Sequence, residues 1–154
     1  MNFAPTDSLW WQVQGVDHMD SGYFVCVSEI ASGLAAAVAA PFFSEELGRT
    51  VLPIVDHKCT FLNTEDEAEA YYLAGMLNSE VITTLAERFA NFIAISPATL
   101  RNLPITMFDR TNPLHVAISK ASKAAHSGVE PAVGELNKAV MKLLATGTDS
   151  ALRQ

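Results

Sequence analysis

The sequence predicts an α+β fold: a small β-rich layer with packed helices and a C-terminal helical hairpin. Three observations carry this. Residues 22–64 are rich in aromatic and β-branched side chains, broken by Gly and Pro. Residues 64–89 place helix-starting and helix-stopping chemistry around an apolar run. Residues 112–146 hold two apolar-periodic stretches, opened by Pro113 and Pro131 and separated by Gly128. With 154 residues, 49% hydrophobic and 18% charged, the chain suits one globular domain around a single core.

Taken in order, residues 1–21 form an irregular lead-in, with Pro5, the Trp10-Trp11 pair, Asp17 and Asp20 interrupting any period. "GYFVCVSEI" (22–30) reads as a strand ending at the turn "ASG". "LAAAVAAPFF" is rich in alanine, but the space between Gly33 and Pro41 is short for a helix, so a buried strand is predicted. "RTVLPIVDHKCTFLNT" (49–64) continues the β character, and Pro53 marks an edge or a bulge.

The next helix has a well-specified start: Thr64 as N-cap, Glu67 completing a capping box, and Glu65 and Asp66 against the positive end of the dipole. Ala68, Tyr71, Tyr72, Gly75 and Met76 then recur at helical spacing. Gly75 is expected to admit another element at close range, and the two tyrosines to fasten the helix against the β layer. Asn78-Ser79 reads as a joint, with a second helix over 81–89.

"FIAIS" (92–96) is a strand candidate, Ser96-Pro97 opens a single turn, and Leu103, steered out of helix by Pro104, leads into a further extended strand. The hairpin over 112–146 begins at Asn112-Pro113, with Leu114, Ile118, Ala121 and Ala125 as its first stripe. The second stripe is Val133, Leu136, Val140, Leu143 and Leu144, before a polar tail over 147–154.

Charge narrows the function. Residues 1–115 hold fourteen acids and five bases, a net of −9, whereas residues 116–154 hold three and five, a net of +2. Since affinity for nucleic acid is built largely from Lys and Arg displacing counterions, the chain alone is a poor DNA binder. Cys26 and Cys59 have no C-x-x-C spacing and read as free thiols of a reducing, cytoplasmic environment. No secretory signal and no apolar run of about 20 residues points to export or a membrane.

Motifs of catalysis are equally sparse. "DHKC" (56–59) sets Asp, His, Lys and Cys on one segment, but a nucleophile, its base and the base's orienter normally converge from separate elements. The acids at 65–69 are explained by the helix dipole. The sequence holds no G-x-G-x-x-G, P-loop or H-E-x-x-H, and His18, His57, His115 and His126 lack ligand spacing, so neither a catalytic residue nor a metal site is assigned.

Two blocks carry a resemblance: Glu69-Ala70-Tyr71-Tyr72-Leu73 with Leu77-Asn78-Ser79, then Leu100 with Leu103-Pro104-Ile105 and Phe108, where Thr106 stands in place of a common second proline. Their order and spacing over residues 20–126 resemble the C-terminal target-recognition region of bacterial N6-adenine DNA methyltransferases of restriction and phage-defence systems. They are also similar to halves of type I specificity subunits. The resemblance implies a target-recognition α+β domain over 22–111. It implies double-stranded DNA and a methyltransferase catalytic domain or subunit as partners.

The family's S-adenosylmethionine loop and Asn/Asp-Pro-Pro-Tyr/Phe motif are missing, and the chain's Asn112-Pro113 runs on into Leu114-His115. The chain is therefore expected to be nonenzymatic by itself and to hold no cofactor, with S-adenosylmethionine on the partner. The DNA-contact candidates are His57, Lys58, Asn91 and Arg101, which flank the predicted strands and joints. The competing expectation is a protein-interaction module of the same ancestry that no longer touches DNA.

Overall fold

Strand β1 (Tyr23–Ser28) lies at the centre of a three-stranded antiparallel sheet, between β2 (Ala36–Ala39) and β5 (Cys59–Thr64). The structure, a computed structural model, describes residues 22–28, 34–53, 59–89 and 97–151. Between β2 and β5 a separate two-stranded hairpin forms from β3 (Phe42–Ser44) and β4 (Arg49–Val51). Among the described residues five helices complete the α+β fold: α1 (Glu67–Asn78), α2 (Glu80–Phe89), α3 (Pro97–Arg101), α4 (Pro113–His126) and α5 (Pro131–Ala151). The candidate strand at 92–96 lies outside the described residues.

Alternation sorts the sheet. Val25 and Val27 pair with Val38 and Ala36, and this face joins the core against α1. On the other face Phe24 is buried edge-on to Phe61. The predicted strand at 34–40 is present, but Pro41 ends it early and it is an edge strand: Ala36 is buried while Ala37 is exposed. "Buried strand" is thus corrected to a half-buried edge.

That edge is closed by side chains. Ser28 N–H bonds to Ala35 O, so the alternation of an antiparallel pair turns the amide groups of Ala36 and Val38 outward. The Asn78 side chain meets Ala36 with both ends, accepting from its N–H at 2.8 Å and donating to its carbonyl at 2.7 Å. His126 Nε2 accepts from Val38 N–H at 3.4 Å. Asn78 therefore ends α1 by docking onto β2, and no non-glycine residue takes a left-handed conformation there.

The start of α1 falls two residues later than predicted. Thr64 is still paired with Tyr23 in the sheet, so Asp66 serves as N-cap and accepts from Ala68 N–H at 2.8 Å. The Thr64 hydroxyl accepts from Asp66 N–H and donates to the Glu69 carboxylate. Ser79, extended at φ −70° and ψ 144°, breaks the helix before α2, as the joint predicted. Unlike an amphipathic surface helix, α1 buries Ala70, Tyr72, Ala74, Gly75, Met76 and Leu77, because α4 covers one side and the sheet another.

Gly75 sets the approach of the C-terminal pair. A Cβ at this position would stand 2.9 Å from Ser122 Cβ, 3.0 Å from Leu136 Cδ1 and 3.1 Å from Ile118 Cγ2. Asn112 caps α4 by accepting from Leu114 N–H, and α4 ends in a Schellman motif: Val129 N–H reaches Ala124 O and Gly128 N–H reaches Ala125 O, with Gly128 at φ +79°. The buried stripe of α4 is His115, Ile118, Ser119, Ala121 and Ser122, rotated from the predicted one. On α5, Ala132, Leu136, Val140 and Leu143 are buried, while Val133 is 54% exposed. The backbone of α5 runs on through the first residues of the predicted polar tail.

Substituting Gly75→Ala is expected to lower unfolding free energy by about 1–3 kcal/mol through overpacking, read as a shifted urea midpoint with an unchanged slope. Asn78→Ala is expected to cost about 1–3 kcal/mol by leaving two amide groups of Ala36 without their partners. Its hydrogen-exchange signature is faster exchange at Ala36.

Candidate functional site

After α3 the chain runs through Leu103–Asp109 without joining a sheet, Ile105 N–H turning back onto Leu103 O at 2.8 Å, so the strand predicted here is corrected to a strap. Its anchor is Tyr72. The buried phenol bonds to Thr106 twice, to the carbonyl at 3.1 Å and to Oγ1 at 2.9 Å, and its ring packs on Phe108 and His115 at centroid distances of 5.3 and 4.7 Å. Burial pushes the phenol's pKa up, only partly offset by the Thr106 bond, so it stays a neutral donor. Tyr71 contacts His126 edge-on at 5.4 Å, with Lys123 Nζ 5.5 Å from its ring centroid. Both tyrosines thus find their partners on α4 and the strap instead of on the β layer.

His115 is the second anchor. Asp109 N–H donates to Nδ1 at 2.9 Å, which assigns the proton to Nε2, 3.5 Å from Thr106 Oγ1. Burial holds the imidazole pKa below its ordinary value, outweighing the attraction of Asp109. Asp109 is itself held below the usual carboxylate range by the hydroxyl and N–H of Thr111. His126 takes the opposite tautomer, Nδ1–H donating to Ser122 O at 2.9 Å, which frees Nε2 to accept from β2. Neither histidine was singled out by sequence spacing, yet both hold backbone segments to α4.

A groove of about 760 Å³ opens beside the strap, walled by Leu85, Leu103, Ile105, Leu143 and Leu144, with Thr106 and His115 along it. Its lining is mainly apolar, with Asn112 and Thr146 as its other polar residues. Among the described residues no group of three or more His, Cys, Asp and Glu converges to hold a metal ion. Cys26 and Cys59 are half-buried free thiols, and burial, then the neighbouring Cys59, pushes the Cys26 pKa up, away from reactivity. No described helix is long and apolar enough to cross a membrane.

Of the four predicted DNA-contact residues, His57, Lys58 and Asn91 lie outside the described residues, and Arg101 ends α3, exposed. The cations divide into two groups. Arg110 pairs with Asp66 at 2.7 Å and Lys123 with Glu67 at 2.6 Å, both at the acidic start of α1. Arg49, Arg88, Arg101, Lys120, Lys138 and Lys142 are exposed and form no ion pair with another described residue.

Four of these lie on three helices, with α2 packed against both α3 and α5. Arg88, Asn137 and Met141 line a cleft of about 410 Å³ between α2 and α5, where Asn137 Oδ1 accepts from Glu80 N–H at 3.0 Å. Lys138 and Lys142 are the next positions along α5, and α3, carrying Arg101, packs against α2. Of these four, sequence reasoning chose Arg101 alone as a DNA-contact candidate. No protein-family model matches the chain, and neither a curated protein nor a solved structure matches it.

The His115 anchor gives a pH signature. Its folded pKa lies below the unfolded value of about 6.5, so its stabilisation is full above that value and is lost as pH falls through the lower folded pKa. Thermal melts of the wild-type chain are expected to weaken from pH 7 to 5. In His115→Asn, which retains a side-chain acceptor but does not titrate, the dependence should flatten, so the gap between the two proteins narrows as pH falls. Tyr72→Phe is expected to cost about 1–2 kcal/mol, measured by urea unfolding at pH 7.5.

Proposed function

We propose that this chain is a DNA target-recognition module, nonenzymatic by itself, that positions an adenine-specific DNA methyltransferase carried by a partner domain or subunit. The observation that carries the reading is that Arg88, Arg101, Lys138 and Lys142 on α2, α3 and α5 are exposed and pair with no described acid, in a chain of net charge −7 whose helices α2 and α5 also expose Glu80, Glu87 and Glu135. Each such cation is available to a backbone phosphate, which the acidic start of α1 repels. The blocks behind the family resemblance support it as well. Tyr72, Asn78, Leu103 and Phe108 are the residues that join helix, edge strand and strap.

In this reading the four cations hold backbone phosphates, and base choice belongs to polar side chains brought alongside. S-adenosylmethionine and the methyl-transfer chemistry lie with the partner. The second reading, a protein-interaction module that docks onto a methyltransferase or restriction partner without contacting DNA, is favoured by one observation. Phe42, Phe43 and Leu47 stand exposed together on the β3–β4 hairpin.

A salt-dependent titration of double-stranded DNA, with the chain alone and with an N6-adenine DNA methyltransferase chain added, separates the two. Weak binding alone and tight, salt-sensitive binding with the partner are expected. Arg101→Ala should reduce the slope of log affinity against log salt by about 1. Partner association without any gain in DNA affinity would leave the second reading in place of the first.

A further inference from the structure

We propose that the β3–β4 hairpin is the element by which this chain docks onto its methyltransferase partner, entering an apolar cleft with a basic rim. The proposal rests on the reading that such a partner exists and goes on to name the surface and its chemistry. Phe42 is 55% exposed, Phe43 64% and Leu47 60%. The register sets Phe42 opposite Val51 and Phe43 opposite Thr50, so the two rings project to opposite sides of the ribbon. Packing one side of the ribbon onto its own domain would leave the other ring in water. None of the hairpin's side chains joins the core.

An isolated two-stranded hairpin is marginal in water, and this one has three residue pairs. Exposed aromatic side chains are the usual anchors of a protein interface. Charge selects among the occupants. The turn carries Glu45 and Glu46, and Arg49 is the hairpin's one base. Phosphate repels that turn, which disfavours both a DNA groove and an anionic lipid surface. A second copy would bring identical acidic turns together across a two-fold axis. A protein cleft with apolar walls and a Lys/Arg rim complements both the rings and the acids.

The test uses the full chain and the same purified methyltransferase chain, with affinity measured by calorimetry. Phe42→Ser/Phe43→Ser lies outside the core, so its circular dichroism and melting curve should match wild type while affinity falls about tenfold or more. Glu45→Lys/Glu46→Lys should also weaken binding, and added salt should weaken the wild-type complex. Met107→Ser, at a position 90% exposed on the strap, should bind as wild type does.

Undiminished binding by the double-serine variant overturns the hairpin assignment and leaves the partner reading standing. Tighter binding after charge reversal overturns the basic rim. Self-association of the chain that the double-serine variant abolishes assigns the hairpin to a second copy instead. Failure of the wild-type chain to associate at all removes the partner reading, and the hairpin proposal with it.

Discussion

The contact at Gly75 fixes the distance between α1 and the C-terminal helices, and the rest of the described fold is aligned by it. Ser122, Ile118 and Leu136 occupy the space a side chain would take. With the helices at that distance, Tyr72, three residues earlier, reaches Thr106 and His115, and Asn78, three residues later, reaches Ala36. Hydrogen bonds tolerate only a few tenths of an ångström before they weaken. One close approach thus serves the strap at one end of α1 and the sheet at the other.

What could be read in the sequence was local chemistry. The helix starting after Asn112, the termination at Gly128, the joint at Asn78-Ser79 and the small residue at Gly75 each follow from what single residues do to a backbone. Facing was harder. On α4 the true stripe runs through His115, Ser119 and Ser122, and a hydropathy pattern counts all three as polar, so the predicted stripe settled on Leu114 and Ala125 instead. The cap moved from Thr64 to Asp66 for a similar reason: pairing with Tyr23 is a long-range constraint that local capping rules do not see. Arg101 was chosen for its place beside a predicted joint; which bases escape ion pairing depends on how the helices pack, which local sequence does not specify.

Charge gives the molecule two characters. At the start of α1, Asp66 and Glu67 hold Arg110 and Lys123 in ion pairs. Exposed pairs of this kind contribute little to stability, but they remove two cations from the supply available to an anionic ligand. On α2, α3 and α5 no such pairing occurs among the described residues. These helices also expose Glu80, Glu87 and Glu135, so what they offer an anion is single unpaired cations among acids, which net charge alone does not describe.

The closing of β2 by Asn78 and His126 bears on how copies of the protein are kept from pairing with one another. A bare strand edge is a template for another chain, and the usual guards are a buried charge, a proline or a covering helix. Here two helical side chains occupy the outward amide groups of Ala36 and the outward N–H of Val38. Pro41 stops the strand before it offers more. The residues that end α1 and α4 thus also act against strand-to-strand polymerisation, so damage at either helix end would surface as self-assembly of the chain before the core had come apart.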